Sequence, residues 1–73
     1  MERTTSDKLA KLHILVPHWI GHNEEHAENF REWAGEAREM GLEKVARRIE
    51  EAVERMEACN EALSAALKAL EAG

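Results

Sequence analysis

Tyrosine is absent from this chain, and proline, phenylalanine and cysteine occur once each. One cysteine excludes an internal disulfide, so no covalent staple holds the fold, and a free thiol fits a reducing, cytoplasmic setting. No apolar run approaches the eighteen or so residues of a membrane span. The opening segment MERTTSDKLAKLHILVP carries only the short apolar patch Ile14, Leu15 and Val16 and no small-residue cleavage site, which argues against a signal peptide. Basic charge is also scarce. Ten Lys and Arg stand against fifteen Asp and Glu, for a formal net charge of −5, and no basic cluster stands clear of acidic neighbours. Nucleic acid requires a basic footprint and is therefore not an expected partner; nor is a membrane.

What remains is a helix-forming composition of Ala, Glu, Leu, Lys and Arg in 73 residues, enough for one domain and a modest core. Thr5 or Ser6 can cap a first helix, over about 6–16, with Asp7 in its first turn. Pro17 removes a backbone donor and is welcome at a helix start, so it either opens a second helix, over about 17–40, or kinks a longer one. From there Trp19, Asn23, His26, Phe30, Trp33, Ala34, Ala37 and Met40 recur at helical spacing. Gly41 is a natural C-cap. A last stripe, from Leu42 and Val45 through Ile49, Val53, Met56, Asn60, Leu63 and Leu67 to Leu70, marks a helix over about 42–71 that spans about 45 Å. The fold class read from this is all-α: an antiparallel helical hairpin with a short N-terminal helix. Two helices alone cannot cover both sides of such stripes, so a three-helix arrangement or a dimeric bundle is expected.

A turn at residues 41–42 gives the hairpin a register. Equal rise on both helices places residues opposite one another when their numbers add to about 83. Phe30 then lies near Val53, Trp33 near Ile49, and Asn23 opposite Asn60. Buried amides need partners, and these two are each other's. A polar pair on an apolar seam fixes alignment and oligomeric state, which is a more economical role for it than bracing histidine rings.

The same register brings chemistry together. All four histidines, His13, His18, His22 and His26, fall within fourteen positions. Three of them recur every fourth residue, the spacing of neighbours on a helix face. Cys59 falls level with the gap between His22 and His26. Imidazole nitrogen and thiolate sulfur together suit nickel, zinc or copper. The candidate ligands are His22, His26 and Cys59, with His18 as a fourth ligand, an entry ligand or a ligand across a dimer interface. Glu25 is either a further carboxylate ligand or a group that orients an imidazole. Three protein ligands leave an open position, as in exchange sites. His13 reads as a surface group.

Blander readings of the same residues exist. Cys59 also suits a small buried apolar role, and the histidines suit partly buried imidazoles bonded to Glu25 or Asn29. A thiol nucleophile with His22 or His26 as base would need a pocket that a chain this small hardly offers, so no enzymatic activity is expected. His22 to His26 also fits the H-x-x-E-H pattern of some metalloproteases, a coincidence in a Glu-rich chain lacking a substrate cleft.

The segment from Leu15 to Leu70 resembles a small helical domain of uncertain function with the pattern L-x-P-H-W-I-x-H-N-x-x-H-A-x-x-F-x-x-W-A. That domain is found alone or beside small nickel-binding modules of the CooT type. The matching positions are His18, Trp19, His22, Asn23, His26, Phe30 and Trp33. The resemblance implies a nickel-handling context; the β-rich module itself is absent from this chain, so its own nickel site does not transfer. The expectation is a dimeric protein that binds a divalent transition metal for trafficking, storage or sensing. The alternative is a helical oligomerisation or protein-interaction module with no metal role.

Overall fold

The computed structural model describes residues 2–73, with side chains from Ser6 onward. Among the described residues there are two helices: α1, Glu2–Glu39, and α2, Glu43–Ala72. They lie antiparallel in a rod of 57 × 16 × 14 Å. The hairpin and its turn agree with the sequence reading, whereas the separate N-terminal helix does not form. Pro17 sits inside α1, which continues through it, so neither the boundary between residues 16 and 17 nor a cap at Thr5 or Ser6 exists. Instead of folding back as a third helix, the first turns of α1 run on past the end of α2.

The turn is built by Gly41. Its φ of +79° lies in the left-handed region that side chains with a Cβ avoid. This lets the Leu42 amide donate to the Ala37 carbonyl at 2.8 Å and the Gly41 amide donate to the Arg38 carbonyl at 3.0 Å, the paired bonds of a Schellman cap. Leu42 then serves at once as the N-cap of α2, and its carbonyl accepts from the Ala46 amide at 2.9 Å. Glu43 in the first turn of α2 complements the helix dipole there.

The seam between the helices repeats every seven residues. On α1 it runs Val16, Ile20, Asn23, Ala27, Phe30, Ala34, Ala37; on α2 it runs Ala46, Ile49, Val53, Met56, Asn60, Leu63, Leu67, Leu70. All of these are buried or half-buried. The fully buried members are Val16, Ala27, Ala34, Ala37, Ala46 and Val53. Four of the six are alanine, which lets the backbones approach closely but removes little apolar area from water. No large side chain is fully buried among the described residues. An Asn23 Nδ2 bond to Asn60 Oδ1 at 3.0 Å fixes the alignment and agrees with facing numbers that add to about 83.

The two flanks of the seam differ. On one, Arg31 donates to Glu57 at 2.7 Å, and Arg38 grips both Glu50 oxygens at 2.8 and 2.9 Å while its Nε donates to Glu43 at 3.0 Å. These exposed pairs each contribute little stability, but they make this flank polar. The other flank carries Leu12, Trp19, His26, Trp33 and Met40 from α1 beside Val45, Ala52 and Cys59 from α2. The sequence reading placed Trp19, His26, Trp33 and Met40 on the inward stripe; the structure corrects this and leaves all four exposed. Residues 19, 26, 33 and 40 form their own seven-residue row, one position off the seam.

Candidate functional site

The apolar flank includes the histidine ladder. His22 and His26 are one helical turn apart on α1, and their Nε2 atoms approach to 2.8 Å. The rings meet edge to face with centroids 4.5 Å apart. Two imidazole nitrogens this close share one proton, one ring donating and the other accepting, or converge on a common cation. Phe30, the next turn along, stacks on His26 at 5.9 Å between centroids and holds that ring from below.

His18 does not join the pair. Its centroid lies 6.2 Å from that of His22. Four-residue steps overshoot a turn of 3.6, so three successive histidines wind around the helix by about 80° and cannot all point to one spot. Glu25 lies further round, exposed on the solvent side of α1.

Cys59 is exposed at the edge of α2, and its Sγ accepts from Asn23 Nδ2 at 3.7 Å. Asn23 is thus the hub between the ladder and α2, as it also donates to Asn60. Asn60 Nδ2 donates in turn to the Ile20 carbonyl at 3.2 Å. The amides bond each other and the backbone, not the imidazoles, in keeping with an alignment role. No buried side-chain nitrogen or oxygen is left without a partner among the described residues.

Of the five sequence-derived ligands, the structure therefore joins His22 and His26 directly and brings Cys59 to the intervening Asn23. It sets His18 and Glu25 apart. Among the described residues no three His, Cys, Asp or Glu side chains gather closely enough to hold a metal ion. A shallow pocket lies beside the ladder, lined by His18, Trp19, His22, Asn23 and Leu63. A second, almost wholly apolar groove opens toward the turn between Phe30, Val45, Ile49 and Ala52, with Lys44 and Arg48 at its rim. Sequence reasoning did not single out this groove, nor Arg38 as the link across the turn. The signal for Arg38 was its register position, level with about residue 45 and so between Glu43 and Glu50 of α2.

Hydrogen bonds from Arg38 hold the Glu50 and Glu43 carboxyls below the ordinary glutamate value. The same bonds, Glu50 first and Glu43 next, raise the Arg38 guanidinium above its own.

These features define an antiparallel helical hairpin with one charged flank and one apolar, histidine-bearing flank. No helix among the described residues is long and apolar enough to cross a membrane. The chain belongs to the family described as a domain of unknown function (DUF8180), whose model matches residues 12–70 and so takes in the whole ladder and Cys59. No curated protein and no solved structure matches the chain.

Proposed function

We propose that this hairpin binds a divalent transition metal through His22 and His26, with Cys59 as the third donor, for trafficking, storage or sensing. The observation that carries this reading is the 2.8 Å approach of the two Nε2 atoms. Two imidazoles on a tetrahedral ion at bonds of about 2.0–2.1 Å have their nitrogens about 3.3 Å apart. A small outward turn of either ring would admit the ion. The Cys59 thiol would give up its contact with Asn23 and turn toward His26. His18, at the mouth of the neighbouring pocket, suits delivery of the ion, and Glu25 suits outer orientation of His22. Nickel comes first among the metals to try, because of the resemblance to the domain that accompanies nickel-binding modules; zinc and copper follow from the donor set.

Equilibrium dialysis of the full chain against Ni²⁺, Zn²⁺, Co²⁺ or Cu²⁺, read by metal analysis, tests the reading. Co²⁺ should add a thiolate charge-transfer band in the near ultraviolet. His22→Ala and His26→Ala should each weaken binding at least tenfold, and Cys59→Ser should abolish the band. Binding should fall between about pH 7 and pH 5, because protons compete for the donors. Equal affinity in parent and histidine variants, or affinity flat across that range, overturns it.

A second reading is a helical association module whose histidines are not ligands. It is favoured by the exposure of Trp33 and Met40, 57% and 63%, on the apolar flank. It predicts no metal retained after dialysis.

A further inference from the structure

The hairpin leaves unburied the side chains that a small helical protein ordinarily uses for its core. Trp19, Trp33, Met40 and Val45 are all exposed, while alanine takes four of the six fully buried positions. They do not scatter. All four lie on one flank, and the groove at Phe30 and Ile49 opens on the same side. The opposite flank is closed to such contacts by its ion pairs.

We infer that a second copy of this chain covers the apolar flank, packing hairpin against hairpin into a four-helix bundle. Area supports a second copy as the occupant. The chain exposes 5895 Å², whereas a compact monomer of its mass exposes about 4,600 Å². Its radius of gyration is 16.9 Å, against about 11 Å for a compact domain of this length. The excess surface, about 1,300 Å², exceeds the roughly 800 Å² per partner that a standard stable interface buries. A two-fold contact needs a self-complementary patch, and a row of apolar side chains flanked by mixed charge meets that need. Lys44 and Arg48 border the groove, and Glu32 and Glu36 lie along the exposed side of α1 next to Trp33, so the rim carries both signs. A single peptide helix laid in the groove would cover only its turn end and would leave Trp19 in water. The association does not depend on the metal reading, and its test is made in chelator so that the two succeed or fail separately.

The test is the mass of the full chain by light scattering and sedimentation at about 1–100 μM with EDTA. Twice the 8.3 kDa chain mass is expected, with a concentration-dependent return to one chain on dilution. Trp33→Glu, which places a charge at the centre of the flank twice per dimer, should weaken the dimer at least a hundredfold. Helix formation can itself depend on the dimer, so the parent supplies an independent readout. Acrylamide quenching of its two tryptophans should fall as concentration rises through the transition. A fully helical chain of single mass at 100 μM overturns the proposal, as does a dimer whose tryptophans are quenched as readily as in the monomer. A Trp33→Glu variant that pairs as tightly as the parent overturns it too.

Discussion

The pairing of Asn23 with Asn60 can be tested by a double-mutant cycle. Asn60→Ala removes the 3.0 Å bond to Asn23 and the 3.2 Å bond to the Ile20 carbonyl. It leaves Asn23 Nδ2 facing only the Cys59 sulfur, a weak acceptor at 3.7 Å. A half-buried amide left in that state costs toward the lower end of the 1–3 kcal/mol range, so the loss should be about 1–2 kcal/mol. Asn23→Ala leaves Asn60 its bond to Ile20 and should cost about 1 kcal/mol. Alanine forms helix better than asparagine by a few tenths of a kcal/mol, but that gain enters each single variant and the double variant alike and cancels in the cycle. The double variant should therefore be less destabilised than the sum of the singles by about 1 kcal/mol. Urea unfolding followed by circular dichroism, at one fixed protein concentration because association would contribute, supplies the four free energies. Replacing both residues by Leu should exceed the parent in stability, since two apolar groups then fill the seam. Additivity of the alanine variants within about 0.4 kcal/mol would mean the amides do not meet, and the register that brings Cys59 to the ladder would fall with them.

Two further tests probe the turn. Gly41→Ala meets no atom within 4 Å, so its cost is conformational, about 1 kcal/mol once the stiffer unfolded chain is allowed for, and Gly41→Asn should cost less; a neutral or stabilising alanine, read from urea midpoints, would contradict the left-handed cap. The Glu43 and Glu50 carboxyls are held below their ordinary value by Arg38, so their contribution is present above the unfolded-state value and lost as pH falls through the folded one. Melting temperature should drop on acidification from about pH 5 to 3, and Arg38→Gln should flatten that drop; parallel acid slopes in parent and variant would refute the link.

The hairpin was legible because its signals are local or follow from counting. A lone glycine after an uninterrupted helical stripe marks the turn, and a turn of known position sets every facing pair, including Asn23 with Asn60. The passage through Pro17 was not legible. Pro17 is exposed, so the lost bond at the His13 carbonyl falls where water can replace it. Val16 and Ile20 on either side continue the seam, and their packing opposes the roughly 3 kcal/mol that proline costs in a helix interior. The histidine spacing was legible as neighbourhood but not as convergence. Each four-residue step rotates the chain by about 40°, and only His22 and His26, the second braced by Phe30, end up nitrogen to nitrogen.

The width of the apolar stripe explains both the error and its use. Periodicity shows which residues face the same way, not how many helices face them. On α1 the rows 16–23–30–37 and 20–27–34 point at α2, and a coiled hairpin needs no more than these two. The third row, from Leu12 through Trp19, His26 and Trp33 to Met40, belongs to the same broad face in the sequence but finds no partner within one chain. A stripe three rows wide is what a helix in a four-helix bundle presents, because it has two neighbours instead of one. Of the two arrangements that such a stripe suggests, a third helix or a dimeric bundle, the structure excludes a third helix folded back from the first sixteen residues. The first turns of α1 continue beyond the end of α2 and carry Leu9 out with them, partly exposed, whereas Val16 is already buried in the seam. The row that α2 leaves uncovered, from Trp19 to Met40, is the one that the proposed pairing of hairpins would bury.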